Sequence, residues 1–558
     1  MSDSKKTAKP KSSSKKKPKA ARTNQKMRAL VEELHARRED ALQMGGERRV
    51  ARQHAKGKLD VRQRIDYLFD PGTFVEFGQH AFFHSNGTPV AADNIRTPGD
   101  GMVSGWGEIN GRIAVCAAYD FTVLGGSIGD INERKVTRCR EFALKNRVPM
   151  IWLIDSAGAR VHGGSGIDFE QITLFSGSGY LFREQVAMSG VVPQVAAMLG
   201  PGAAGTAYIP GLADYVPMVD GTSFMALGGP PLVKAAVGED VEEQDLGGAK
   251  IHNKFSGVAD QSFESDEACL DSIKQYLSYL PQNCEAKPQE IPHQPSPERA
   301  PGGATRENLL DVLPESSRRG YDMKKLLGYI VDDGELFEMK PQFARQIVTA
   351  FARIDGKSVG IVASNPGGAM GGALDNDSAD KAARFVNLCD SFNIPLIFFQ
   401  DVPGFMVGSR VEKAGIIRHG AKMLYEVSRA TVPKITVIVR KAYGAGYYVM
   451  CGRAYEPDLI VAWPTAEISV MGPAGMVEIF ARSMGRDATL DQTVVDAQKK
   501  QMIAMIEPHI DIYKVAGRAL IDEVIDPRET RDYIVSALKL SANKKVERPW
   551  RKSGVRPV

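Results

Sequence analysis

Two long stretches of this chain repeat one another. DVRQRIDYLFDPGTFVEF, from Asp60 to Phe77, matches DMKKLLGYIVDDGELFEM, from Asp322 to Met339: Asp60, Tyr67, Asp70, Gly72 and Glu76 pair with Asp322, Tyr329, Asp332, Gly334 and Glu338 at an offset of 262. Further along, an offset of 246 pairs Gly125-Gly126 with Gly371-Gly372, Lys135 with Lys381, Pro149 with Pro395, Asp155 with Asp401 and Gly158 with Gly404. EINGRIAV resembles RIDGKSVG, and GVVPQVAAML resembles ATVPKITVIV at an offset of 240, so a few loop insertions and deletions separate the copies. One plan is laid down twice, and whatever fold the first half adopts the second adopts too.

Each copy reads as paired strands with a glycine turn, a helix, a buried strand, a glycine turn, a second helix and another buried strand. VPMIWLID and IPLIFFQD are continuous apolar runs, as expected of strands covered on both faces. KVTRCREFALKN and KAARFVNLCDSF place Val136, Cys139, Phe142 and Ala143, or Ala382, Phe385, Cys389 and Phe392, at helical spacing. The fold class is therefore α/β, repeated. A chain of 558 residues exceeds what one core covers, which agrees with two domains. The Pro-, Glu- and Gln-rich segment QNCEAKPQEIPHQPSPERAPGGATRE places an exposed linker at residues 282–306, between domains at 29–281 and 307–545.

The net charge of +4 is unevenly spread. Residues 1–28 hold eleven Lys/Arg against one acid, Asp3, so this tail carries about +10 and the rest of the chain about −6. A body that is net acidic does not point to nucleic acid as a partner. The tail reads as disordered, and it lacks the apolar core of a secretory signal. The uncharged run between Glu184 and Asp214 is long enough for a membrane helix, but Pro193, Pro201 and Pro210 with five glycines break it into a short strand and a turn, so no transmembrane segment is expected. Six scattered cysteines without C-x-x-C spacing suggest neither disulfides nor a zinc site, and a cytoplasmic location fits.

In each copy a strand runs straight into a turn of small residues, GPGAAGTAY after VAAML and YGAGYYVMCG after ITVIVRKA. Small residues let backbone N–H groups approach a ligand, and a following helix adds its N-terminal amides and dipole. Two such donors can make an oxyanion hole, suited to a thioester enolate or a developing ureido oxyanion. Two equivalent turns could face one another across one active site. Gly125-Gly126-Ser127-Ile128-Gly129 also fits the G-x-S-x-G nucleophile elbow of a serine hydrolase. The duplicate has Ala373 where the first copy has Ser127 and keeps the preceding glycine pair as Gly371-Gly372, so the hydroxyl reads as dispensable. Phosphate loops, dinucleotide fingerprints and metal-ligand pairs are absent, and His162, His252 and His419 read as structural.

At this point the blocks GKLDVRQRIDYLFDPGTF, DFTVLGGSIGDINERK, DSAGARV, SADKAARFVNLCDSFNIPL, DVPGFMVG, ATVPKITVIVRKAYGAGYYVM, WPTAEISVMG and KKVERPWRK carry a family resemblance. The chain resembles the carboxyltransferase (β) subunit of biotin-dependent acyl-CoA carboxylases, most closely the propionyl-CoA carboxylase type. The resemblance implies tandem duplicated ClpP/crotonase-like domains built of ββα superhelix repeats, here a carboxyltransferase N-terminal and C-terminal domain. It implies a hexamer that moves CO2 from carboxybiotin to the α-carbon of a short-chain acyl-CoA, propionyl-CoA to methylmalonyl-CoA. Ala204-Gly205 would hold the acyl thioester oxygen and Ala445-Gly446 the biotin ureido oxygen. Gly125, Gly126, Ala157, Gly158, Ala159 and Arg160, with Tyr447 and Tyr448, would bind substrate. Tyr448 stands where the propionyl type often has Asp or Cys, which should alter acyl preference.

No biotinylation motif and no ATP-binding glycine loop occur, so the resemblance implies a biotin carboxylase and biotin carboxyl carrier on another chain. Coenzyme A arrives as part of the substrate, and no metal is expected on this chain. YGAGYYVMCGRAY and GFMVG also resemble the methylcrotonyl-CoA carboxylase subunit. A further alternative is the carboxyltransferase subunit of a sodium-pumping decarboxylase acting on methylmalonyl-CoA or glutaconyl-CoA, told apart by its membrane partner.

Overall fold

In a computed structural model, residues 24–85, 88–89, 97–160, 176, 180–293, 305–368, 370–483 and 492–557 are described. Helix α1 (Gln25–Leu42) begins inside the segment read as tail, capped by Asn24, whose side chain accepts the Met27 N–H at 3.1 Å. Residues 1–23 lie outside the described residues. Helix α2 (Glu47–His54) follows, carrying arginines on a short basic face.

The repeat seen in the sequence becomes two sheets of one topology. The first contains β1 (Val75–Phe77), β2 (Met102–Ile109), β3 (Arg112–Tyr119), β4 (Met150–Ser156), β5 (Gln194–Ala203), β6 (Pro217–Val219), β7 (Phe224–Ala226) and β8 (Gln261–Phe263), in the order β1-β2-β3-β4-β5-β6-β8 with β7 joining β5. The second contains β9 (Phe337–Met339), β10 (Ile347–Ile354), β11 (Lys357–Ser364), β12 (Leu396–Val402), β13 (Lys434–Tyr443), β14 (Leu459–Ala462), β15 (Glu467–Ser469) and β16 (Glu523–Val524). Its order is β9-β10-β11-β12-β13-β14-β16 with β15 joining β13, the same plan. β2 and β3 turn at Asn110-Gly111 (φ 51° and 72°), β10 and β11 at Asp355-Gly356 (φ 55° and 75°). Two left-handed residues in a row are what a tight hairpin needs to match strand twist, and Asn-Gly and Asp-Gly supply them.

β4 and β12 are buried along their whole length, as their unbroken apolar runs require. Helices α3 (Asp130–Asn146) and α6 (Asn376–Ser391) cover equivalent faces. Val136, Cys139 and Ala143 of α3 are buried, while Phe142 is half-buried and packs its ring edge-on to Phe77 at 5.3 Å. Between them in sequence lie α4 (Gly205–Leu212) and α5 (Asp266–Tyr279). α5 joins the two halves: Tyr276 and Tyr279 stack among Phe337 and Phe351, with ring centroids 5.8–6.2 Å apart, in a core cluster that runs from one repeat into the other. Each such ring contributes about 1.5–3 kcal/mol on burial, so the halves hold one another.

The described part of the linker, up to residue 293, has neither helix nor strand but is pinned down. Cys284 N–H donates to Val191 O at 3.1 Å, Asn393 Nδ2 donates to Cys284 O at 2.7 Å, and Ile291 N–H donates to Gly356 O at 2.9 Å. The run between Glu184 and Asp214 forms β5 and α4, and among the described residues no helix is long and apolar enough to cross a membrane.

Candidate active site at two matched turns

β5 and β13 begin and end at equivalent residues, 240 apart, and each delivers the chain into a short helix, α4 or α7 (Gly444–Val449). Between strand and helix one residue flips to positive φ: Ala204 at 52° and Gly444 at 54°. The structural equivalences are therefore Ala204 with Gly444, Gly205 with Ala445, Thr206 with Gly446 and Tyr208 with Tyr448. The resemblance puts Ala204-Gly205 at one oxygen and Ala445-Gly446 at the other; by the strand ends, Ala445 is the counterpart of Gly205 and Gly446 that of Thr206.

The shift matters because the amides are not alike. Ala204 N–H donates to Ala226 O at 3.2 Å and so belongs to the sheet. Gly205 N–H opens α4, and no acceptor among the described residues takes it. Counted from the end of the strand, the Ala445 N–H holds the matching place, as the second residue of α7, likewise without an acceptor among the described residues. A helix start leaves such donors unpaired by construction, and the aligned peptides behind them favour negative charge.

Ala204, at φ 52° and ψ −117°, occupies backbone space that favours glycine, at a cost of about 1–3 kcal/mol. Ala204→Gly is expected to raise stability in urea unfolding by about 1 kcal/mol and to leave turnover intact.

Glycines bring the neighbouring loops against each turn. A Cβ on Gly158 (φ 91°) would lie 2.6 Å from Ala203 O, and one on Gly126 (φ 58°) 2.4 Å from Asp155 O. Ala157 N–H donates to Gly125 O at 2.8 Å, and Ile128 bridges to Ala159. Gly125, Gly126, Ala157, Gly158 and Ala159 thus form one wall beside the first turn, where Ile128 and Phe182 are the nearest side chains to Gly205. The second repeat copies this, since a Cβ on Gly372 would lie 2.8 Å from Asp401 O and one on Gly446 3.1 Å from Gly404 Cα.

Both walls hang from a buried carboxylate. Asp155 accepts from Lys58 Nζ at 2.6 Å, Arg64 Nη1 at 2.9 Å and Gln53 Nε2 at 3.1 Å, and Arg64 Nε also reaches Asp266 at 2.7 Å. Burial pulls the Lys58 ammonium below its ordinary range. Asp401, its equivalent, is met instead by Arg440 Nε at 2.9 Å. Arg440 occupies the position of Gly200, where a Cβ would strike Asp155 Oδ1 at 2.0 Å. The same charge is balanced from the N-terminal segment in one repeat and from the neighbouring strand in the other.

Arg160, expected on the substrate, turns inward. Its guanidinium pairs with Asp100 Oδ1 at 2.6 Å, donates to Ser127 O at 2.8 Å and to Ser127 Oγ at 3.1 Å. Burial raises the Asp100 carboxyl against the lowering pull of Arg160. Ser127 Oγ donates to Leu124 O at 2.7 Å, and its backbone is extended at φ −70° and ψ 145°. That hydroxyl is engaged at both ends in a relaxed backbone, which excludes the strained, exposed serine of a nucleophile elbow. Among the histidines, His252 bonds Met225 O and Ser256, and His419 bonds Asp380, as structural residues do; His162 lies outside the described residues.

A cavity of about 970 Å³ opens beside the wall, lined by Arg49, Arg52, Lys56, Gly125, Ala157 and Arg160 among others. Sequence reasoning missed Arg49, Arg52 and Lys56, whose only signal was the basic run ERRVARQHAKGK close behind a solvated tail. It also missed Tyr208, which the 240 offset pairs with Tyr448; the two are 51% and 48% exposed, alike beside their turns. Tyr447 packs its ring 5.7 Å from Tyr448, and its hydroxyl accepts the Arg453 N–H at 2.9 Å. Asp120, just before the cavity residue Phe121, is pushed up to about 6 by burial. A carboxyl raised in the fold contributes stability below pH ~4 that is lost as pH rises through about 6. From pH 4.5 to 8, urea unfolding of Asp120→Asn should therefore gain on the unaltered chain by about 2 kcal/mol.

The described contacts of each turn are with its own repeat: β5 and β7 flank the first, β12, β13 and β15 the second. Exposed apolar side chains border both, Tyr208 and Leu227 at one, Tyr448 and Val470 at the other.

The model of the carboxyl transferase domain family matches residues 52–556. The propionyl-CoA carboxylase carboxyltransferase subunit of Haloferax mediterranei is 42% identical over 533 residues, 95% of this chain and all of that one. The methylmalonyl-CoA decarboxylase subunit alpha of Veillonella parvula is 41% identical, over 95% of this chain and 99% of the relative. Among solved structures, transcarboxylase 12S, described as a hexamer with hydrolysed methylmalonyl-coenzyme A bound, superimposes with a TM-score of 0.87 at 41% identity, covering 95% of this chain and 99% of that one.

Proposed function

The chain belongs to the carboxyl transferase family, and from that premise we propose that it is the carboxyltransferase subunit of a biotin-dependent acyl-CoA carboxylase whose substrate is propionyl-CoA. The observation that carries this reading is the pair of acceptor-free amides, Gly205 and Ala445, at one position of a duplicated sheet. Carboxyl transfer between a urea and a thioester develops negative charge on two oxygens, so its first requirement is two stationary donors, without a protein nucleophile.

Carboxybiotin, presented by a partner chain, supplies the CO2. As the N–CO2 bond of carboxybiotin breaks, the freed ureido nitrogen takes the α-proton and the α-carbon attacks the CO2; Gly205 N–H donates to the thioester oxygen and Ala445 N–H to the ureido oxygen through this exchange. Gly126 and Gly158 let the wall residues close on the acyl chain. Gly446 seats the second turn against Val402 and Gly404. Arg49, Arg52 and Lys56 fit the phosphates of coenzyme A along the cavity. Arg160 holds Asp100 and the Ser127 loop in place, and its role is to shape the wall. Tyr447 and Tyr448 border the second turn and set what reaches it.

Thioester and ureido groups must meet, yet each turn is surrounded by its own repeat. A hexamer of the kind named for transcarboxylase 12S resolves this, with the first turn of one copy facing the second turn of another across the exposed apolar borders. The proposed domains, 29–281 and 307–545, each enclose one of the two sheets. Carboxylation of propionyl-CoA from bicarbonate and ATP tests the reading: it should require both this chain and a biotinylated biotin carboxylase, and activity of this chain alone would refute it. The decarboxylase relative supports a second reading, in which the biotin partner is a membrane decarboxylase.

A further inference from the structure

The duplication supplies an internal control for the second turn. In the first repeat, β5 and β7 run parallel with Pro201 opposite Phe224 and Ala203 opposite Ala226. In the second, β13 and β15 keep that register with Lys441 opposite Glu467 and Tyr443 opposite Ser469. The positions of Ala203 and Phe224, apolar and unable to hydrogen-bond through their side chains, are thus taken by Tyr443 and Glu467. These two meet: Tyr443 Oη donates to Glu467 Oε2. Tyr443 is 5% exposed, and burial raises its hydroxyl, so it acts as a donor. Its ring lies against Gly472, where a Cβ would be 3.3 Å away, and Gly444 lies over Val470 O, where a Cβ would be 2.9 Å away. Residues 467–472 therefore form a floor under the second turn, tied to the strand that delivers it.

We infer that the Tyr443–Glu467 pair is a positioning device for the second turn alone, fixing the Ala445 amide where a ureido oxygen is held. The inference rests on the carboxyltransferase reading above. Tyr443 is one residue before the flip at Gly444 and two before the Ala445 amide, so any slip of β13 along β15 displaces that donor directly. A hydrogen bond from a buried hydroxyl to a carboxylate resists such a slip. The first turn, whose counterpart positions are apolar, is anchored otherwise and does not depend on the pair.

The test uses the full chain in decarboxylation of malonyl-CoA or methylmalonyl-CoA with free biotin as CO2 acceptor, comparing Tyr443→Phe, Glu467→Leu and the double variant. The KM for biotin should rise about tenfold in each single variant. The KM for the acyl-CoA should stay within about twofold of the unaltered value, and the double variant should be no worse than either single, because both remove one hydrogen bond. A merely structural pair would move both KM values together or lower the melting temperature without a split, and either result overturns the inference. So does loss of folding in both single variants. If the unaltered chain turns over with biotin and the biotin KM stays put in the variants, the pair fails and the carboxyltransferase reading stands. If the unaltered chain shows no biotin-dependent turnover, both fail together.

Discussion

Gly205→Val should lower kcat/KM for carboxyl transfer by about 10²–10³ while the chain keeps its fold and assembly. The site is well suited to this substitution. A Cβ at Gly205 meets only Ile128 at 3.7 Å and Phe182 at 3.8 Å, ordinary contacts that need no rearrangement. The branched side chain then stands in front of an amide of the first turn that the sheet does not use. The loss should fall on kcat more than on KM, because the donor acts on charge that develops only in the transition state, whereas the bulk of the acyl-CoA is gripped elsewhere. Ala204→Gly keeps every amide of the turn and should leave turnover unchanged by comparison. Gly446 is less suited to such a test, because its Cβ would press 2.8 Å from Val402 and disturb packing together with function.

Mixing two inactive variants should restore activity. If the first turn of one copy works with the second turn of another, Gly205→Val and Ala445→Val chains assembled together at equal amounts place two intact turns at about a quarter of all sites, the product of two independent halves. If both turns of a site came from one chain, every chain would carry a defect and the mixed assembly would stay as inactive as either parent. Co-expression with two different affinity tags, isolation of doubly tagged assemblies and measurement of turnover separate the cases. The outcome bears on why the exposed apolar residues Tyr208, Leu227, Tyr448 and Val470 cluster at the turns: in a lone chain they are uncovered, and restored activity would place them along a site shared between copies.

The fold was readable because the chain carries its own alignment. Apolar runs such as VPMIWLID and Asn-Gly or Asp-Gly hairpins each give an ambiguous local signal, and finding both twice in the same order removed the ambiguity. Gly126 and Gly158 recur as Gly372 and Gly404, and close approach of backbones explains Gly126, Gly158 and Gly372. The second turn is harder to place, because YGAGYY offers three candidate small residues; the strand ends and the positive φ of Gly444 match Ala445 to Gly205. Arg160 looked like a substrate contact because the sequence cannot show that Asp100, sixty residues away, faces it across a buried gap. The exchange of Arg440 for the Lys58 and Arg64 pair was equally hidden: equal charge balance was reached from different elements, and no local pattern records that. Arg49, Arg52 and Lys56 were overlooked because a basic run beside a lysine-rich tail resembles solvated surface until a cavity is seen beneath it.

The most direct test of the central claim is the reverse half-reaction. With the purified chain, methylmalonyl-CoA and malonyl-CoA should lose CO2 only when free biotin is present as acceptor, methylmalonyl-CoA the faster, and Gly205→Val should abolish most of that turnover. Biotin-independent release of CO2, or undiminished turnover in Gly205→Val, would contradict the assignment of these two turns as the carboxyl-transfer site.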